Sequence, residues 1–104
     1  TAIVPARLSE QQQTAIQQLA LAACRALFVE GMARVDFFVN DERIVINEIN
    51  TIPGFTEISL YPRNWQESGV SMQSLVQDLL ISAMDHFEQR NKRHALISDT
   101  MKKD

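Results

Sequence analysis

Apolar positions fall in three distinct rhythms along the chain, and each predicts a different element. Behind Ser9, the residues Ile16, Leu19, Ala20, Ala23, Ala26 and Leu27 recur at three- and four-residue spacing, which is one stripe of a helix. Ser9 with Gln12 three residues on reads as a capping box, and Gly31 stands where such a helix should stop. From Met32 to Val39 the period drops to two, with Ala33, Val35, Phe37 and Val39 on one face and Arg34, Asp36 and Phe38 on the other. The polar group from Asn40 to Arg43 interrupts this run, and Ile44 to Asn50 forms a second strand, so a β-hairpin is expected. Thr51 to Tyr61 is irregular around the Pro53-Gly54 turn signal. Pro62 opens a short helix that Gly69 closes. Ser71 then caps a longer helix, with Leu75, Val76, Leu79, Leu80, Ala83, Met84 and Phe87 along one side. From Glu88 onward the chain turns polar and mixed in charge, so the helix is expected to fray into a mobile, solvated tail over 89–104.

Two strands that share a buried face must be in register, and parity fixes what that register implies. If Asp36 lies opposite Glu48, then Arg34 faces Asn50, Asn40 faces Ile44, and the hairpin loop is the three residues Asp41 to Arg43. A two-residue loop would throw the two carboxylates onto opposite faces. With Asp36 opposite Glu48, one sheet surface carries Arg34, Asp36, Glu48 and Asn50. Hard oxygen donors of this kind suit Mg²⁺, which takes a few carboxylates and completes its shell with water and phosphate oxygens. The guanidinium beside them suits charge that develops on a transferring phosphoryl group. Spacing alone favours a solvated sheet face on which Arg34 and Asp36 pair with their neighbours, because half-exposed antiparallel strands often carry charge.

Composition narrows the field without choosing within it. The chain has 104 residues, 45% of them apolar and 22% charged, as in an ordinary single globular domain or part of one. A net charge of −3 gives no general attraction to nucleic acid or an anionic membrane. No apolar run reaches the roughly 20 residues that span a bilayer. The single cysteine, Cys24, lies on the helical stripe as a small core residue, which excludes an internal disulfide and fits a reducing compartment. His86 and His94 are spaced as residues of a solvated helix, and Tyr61 and Trp65 are placed to pack the short helix. The opening TAIVPARL reads like the end of a loop and strand already under way, as in a fragment.

The segments MARVDFFV and VINEINTIPGFTEISLYPRNWQESGVS shift the balance, because they resemble the C-terminal signature of the D-alanine–D-alanine ligases of the ATP-grasp superfamily. The likeness runs from about Val4 to Leu80. It implies an α+β fold, the C-terminal half of an ATP-grasp fold, with a small antiparallel sheet and packed helices over residues 1–88. By the resemblance, Asp36 holds one Mg²⁺ or Mn²⁺ ion, Glu48 bridges two and belongs to the ATP site, and Asn50 holds the second. Arg34 matches the catalytic arginine, and Gly54 a glycine whose N–H contributes to an oxyanion hole. Ser59 and Leu60 match the pair that holds the second D-alanine by its carboxylate. The activity implied is ATP-dependent formation of D-alanyl-D-alanine for peptidoglycan through an acyl phosphate, in a cytoplasmic protein that is a homodimer when intact. N-terminal and central domains that bind the first D-alanine and cover ATP are missing, so the chain alone is expected to be inactive. A D-alanine–D-lactate ligase and a non-catalytic dimerising module are the alternatives. Leu60 favours the dipeptide former over the lactate-forming relatives, which often carry a basic residue there.

Overall fold

In the computed structural model, which describes residues 1–102, the chain folds as α1 (Glu10–Ala26), β1 (Arg34–Val39), β2 (Ile44–Asn50), α2 (Leu60–Glu67) and α3 (Met72–Lys102). The expected α+β architecture is present: an antiparallel two-stranded sheet with helices packed on it. Residues 1–9 form no strand, contrary to the reading of the opening segment.

The capping box forms as the sequence predicts. Ser9 Oγ accepts the Gln12 N–H at 3.1 Å, and Gln12 Oε1 accepts the Ser9 N–H at 3.0 Å. The Gln12 side-chain amide also reaches the Asn40 carbonyl at 3.5 Å, which ties the start of α1 to the hairpin turn. The end of α1 differs from expectation. The helix stops at Leu27, where the Phe28 N–H bonds the Arg25 carbonyl and the Val29 N–H bonds the Cys24 carbonyl. This is a Schellman motif, and its left-handed position is held by Phe28 at φ 54° rather than by a glycine. Left-handed backbone costs a non-glycine residue about 1–2 kcal/mol. Gly31, at φ 75°, shapes the later turn into β1 instead. α2 ends in the same motif with Gly69 at φ 92°, as the sequence suggested.

Hairpin register is the main point on which structure and sequence part. Arg34 pairs with Asn50, Val35 with Ile49 and Asp36 with Glu48, but Phe37 then pairs with Ile46, Phe38 with Val45 and Val39 with Ile44. Asn47 is therefore an extra residue, a β-bulge. The loop is not the expected three residues. Asn40 donates its N–H to the Arg43 carbonyl, leaving Asp41 and Glu42 at the tip. Asn40 Oδ1 accepts the N–H groups of both Glu42 and Arg43, an Asx turn that favours the tight connection. The bulge restores the parity that the tighter loop would otherwise have broken. It lets Ile44 and Ile46 point inward on one side and Ile49 on the other, while Asn47 and Glu48 both stay exposed.

α2 is anchored by Tyr61 and Pro62, both buried, and Leu75 of α3 is buried as well. The Tyr61 ring lies 5.8 Å from that of Phe55, tilted by 43°, and meets Trp65 edge-on at 6.4 Å, so the aromatic residues pack the short helix as predicted. Cys24 is half-buried, lining an open groove of about 600 Å³ between α1, β1 and α2 with Ala20, Val35, Tyr61 and Trp65. The core is small. The radius of gyration is 17.8 Å, against about 13 Å for a compact domain of this length.

α3 departs from the sequence reading twice. It does not fray near Glu88 but continues as helix to Lys102; the last two tail positions, 103 and 104, lie outside the described residues. Its apolar stripe is only partly covered: Leu75 is buried and Leu79 half-buried, whereas Leu80, Met84 and Phe87 are exposed. No helix of the described residues is long and apolar enough to cross a membrane.

Candidate active site

The bulge places Arg34, Asp36, Glu48 and Asn50 on the outer face of the hairpin, in paired positions on two strands. Arg34 grips Asp36 with two parallel bonds, Nε to Oδ1 at 2.8 Å and Nη2 to Oδ2 at 2.9 Å. Its Nη2 also lies 3.6 Å from Glu48 Oε1, so one guanidinium spans both carboxylates. Asn50 Oδ1 accepts the Ile52 N–H at 3.0 Å, which turns the chain out of β2 toward Pro53.

The fork has an electrostatic signature. Hydrogen bonding from Arg34 holds the Asp36 carboxyl below its ordinary value, against the opposing effect of partial burial. The same bond, then the Asp36 charge, pushes the Arg34 guanidinium up. Asp36 thus binds its proton less readily in the folded chain than in the unfolded one. Its contribution to stability is complete above the ordinary aspartate range and is lost as pH falls through the lower folded value. A carboxyl NMR titration should show an Asp36 midpoint below that of a free aspartate, and Arg34→Gln should move it back up.

The donor set is all oxygen: two carboxylates and one carboxamide on neighbouring strands. Such a set fits Mg²⁺ or Mn²⁺ rather than a softer metal. Among the described residues no group of three or more His, Cys, Asp or Glu is gathered to hold a metal. An ion at this face would therefore draw its remaining ligands from water or a phosphate, as Mg²⁺ commonly does. A carboxylate has about four lone-pair sites, so the fork leaves acceptor capacity on Asp36. His86 lies outside this cluster on α3, with Nδ1 3.5 Å from Ser82 Oγ.

The loop after β2 carries the other predicted residues. A Cβ on Gly54 would stand 3.0 Å from Ser59 Oγ, so a side chain at position 54 would require the Ser59 hydroxyl to shift by a few tenths of an ångström. Ser59 occupies the N-cap of α2 but makes no side-chain cap bond. Its hydroxyl faces back to Thr56 instead, accepting the Thr56 N–H at 3.0 Å and lying 2.7 Å from Thr56 Oγ1. Leu60 follows as the first residue of α2, partly exposed. Two residues that position this site were missed in the sequence. Asn47 had a signal, since the inward apolar positions switch from even (Ile44, Ile46) to odd (Ile49) across it. Thr56 had none.

Structural likeness to solved ligases places this polar sheet face and its helices in the ATP-grasp class, as the C-terminal half of that fold. A family profile described as "D-ala D-ala ligase C-terminus" matches residues 1–81, and the chain belongs to that family. It is 52% identical over 91 residues to the D-alanine–D-alanine ligase of Oceanobacillus iheyensis, covering 86% of this chain and 24% of that protein. The corresponding ligase of Mycobacterium tuberculosis is 51% identical over 81 residues, covering 78% and 22%. Among solved structures, the D-alanine–D-alanine ligase of Coxiella burnetii superposes with a TM-score of 0.95 at 39% identity, over 98% of this chain and 30% of that one. The Bacillus anthracis ligase, solved in complex with ATP, gives 0.75 at 26% identity over 81% and 30%. The chain spans less than a third of the length of these relatives.

Proposed function

We propose that this chain is the catalytic C-terminal wall of an ATP-dependent D-alanine–D-alanine ligase, a cytoplasmic enzyme that makes D-alanyl-D-alanine for peptidoglycan. The observation that carries the reading is the bulge at Asn47, which brings Arg34, Asp36, Glu48 and Asn50 to one face despite a two-residue loop. The bulge re-aims the residues beyond it, turning Glu48 and Asn50 onto the face of Arg34 and Asp36 while Ile49 stays inward.

In this reading Asp36, Glu48 and Asn50 would hold two Mg²⁺ or Mn²⁺ ions at the ATP phosphates, with Glu48 serving both. When bound, the ions supply charge neutralisation to the phosphate oxygens. The chain's own groups do the rest. Arg34, restrained by Asp36, presents its guanidinium to the transferring phosphoryl group as the carboxylate of the first D-alanine attacks the γ-phosphorus and ADP leaves. The neutral amine of the second D-alanine then attacks the acyl carbon of the acyl phosphate and gives up a proton to solvent. The Gly54 N–H donates to the oxygen that gains charge, and phosphate leaves. Ser59 and the α2 start at Leu60 hold the carboxylate of that second D-alanine, close to Gly54 because Gly54 has no side chain to separate them. The first D-alanine and the cover over ATP belong to the N-terminal and central domains of the parent protein.

The test is phosphate release by the full-length protein with ATP, Mg²⁺ and D-alanine. Release that depends on D-alanine and yields the dipeptide is the expected result. Release that requires a different acceptor, such as D-lactate, would replace the second substrate in this reading.

A further inference from the structure

Ser59 has one hydroxyl proton and two acceptor sites, and its surroundings restrict how they can be used. The Thr56 N–H fills one acceptor at 3.0 Å, and Thr56 Oγ1 stands 2.7 Å from the same oxygen. That oxygen–oxygen contact has two directions. If Ser59 donates to Thr56, its only proton is spent inside the loop and it offers a lone pair outward, which repels a carboxylate. If Thr56 donates to Ser59, both acceptor sites are filled and the Ser59 proton must point elsewhere. The hydroxyl does not cap α2, so no helix amide competes for it. Gly54 closes the other flank, since anything larger would press on Ser59 Oγ.

We propose that Thr56 is a positioning residue for the ligation: it donates to Ser59 Oγ and so fixes the Ser59 hydroxyl as a donor toward the carboxylate of the second amino acid. The inference rests on the reading of Ser59 as a carboxylate-binding residue and adds what makes that serine a donor. The Ser59 hydroxyl, which meets the carboxylate, lies beside Gly54, whose N–H meets the reacting carbonyl.

Steady-state kinetics on the full-length enzyme separate this from two loop hydroxyls that merely satisfy each other. Thr56→Val removes the hydroxyl at nearly constant volume and keeps the backbone N–H. It should raise the KM for D-alanine about fivefold to tenfold, the scale of one lost hydrogen bond, with the KM for ATP and the melting temperature unchanged. Thr56→Ser, which restores the hydroxyl, should return the KM to within about twofold of wild type. Ser59→Ala should raise it at least as far as Thr56→Val, and Thr56→Val in that background should add nothing. Should Thr56→Val fold poorly, Thr56→Ala serves as the second variant, since it asks for no extra space. A wild-type KM in Thr56→Val beside a raised KM in Ser59→Ala overturns the proposal and leaves the reading of Ser59 standing. A wild-type KM in Ser59→Ala removes both. A Thr56→Ser variant as impaired as Thr56→Val also overturns the proposal, because the hydroxyl would then not be the agent.

Discussion

In the full-length protein, Glu48→Gln is expected to lower D-alanine-dependent turnover by about a hundredfold, the upper range for disturbing a metal site. Asn50→Asp should cost clearly less. Glu48 is well exposed, and its Oε1 lies 3.6 Å from Arg34 Nη2. Replacement by an isosteric amide should therefore leave folding within about 0.5 kcal/mol of wild type, the usual range for a surface position. What it removes is the negative charge proposed to serve two ions at once. Asn50 offers one neutral oxygen, already accepting the Ile52 N–H. Asn50→Asp keeps that acceptor and a ligating oxygen, so it spares both the turn and the metal site, whereas Asn50→Ala would remove both. A magnesium titration of both variants checks the order. The Glu48 variant should need a higher magnesium concentration for half-maximal rate, and wild-type turnover at ordinary magnesium would refute the metal assignment.

The same residues show how far the sequence could be read. Helix starts were legible because they rest on local chemistry: Ser9 with Gln12, Pro62 in a first turn, and Ser71, whose hydroxyl accepts the Ser74 N–H at 3.1 Å. The pairing of Asp36 with Glu48 was legible from alternation, yet the loop that delivers it was not. A hairpin tip and a bulge compensate each other by one residue, so either alone predicts the wrong face and only the pair gives the observed one. The left-handed turn at Phe28 that follows the end of α1 was hidden because nothing local favours an aromatic residue in left-handed backbone, and a glycine stood nearby to mislead. The solvation of the Leu80–Met84–Phe87 stripe was hidden for a different reason. Periodicity reports which face of a helix is apolar, not what covers it. The polar cluster was the most visible feature, since Arg34, Asp36, Glu48 and Asn50 alternate on their strands whatever the helices do. The roles proposed for them came from likeness to a family, and spacing alone favoured a solvated salt-bridge face.

These residues in isolation are expected to release no D-alanine-dependent phosphate above a Glu48→Gln control, although they retain Arg34, Asp36, Glu48 and Asn50 in one cluster. Ligation as proposed requires ATP, two amino acids and two ions to be held together out of water, and most of the rate depends on that positioning. The chain presents its cluster on an open sheet face: Phe38 and Val45, on that face, are exposed at 66% and 49%. In the absence of a facing domain Arg34 remains paired with Asp36, because no phosphoryl group is held where it would compete for the guanidinium. Magnesium should bind weakly there, having no phosphate oxygens to complete its shell. A two-stranded sheet is marginal by itself, and among the described residues both of its outer edges lack a further strand. With Leu80, Met84 and Phe87 also exposed on α3, the isolated chain should self-associate as its concentration rises. A coupled phosphate assay with ATP, Mg²⁺ and D-alanine, run beside analytical ultracentrifugation, reads both expectations. Phosphate release well above the Glu48→Gln control would show that the missing walls of the site are not required, and would overturn the account of this chain as one side of a shared active site.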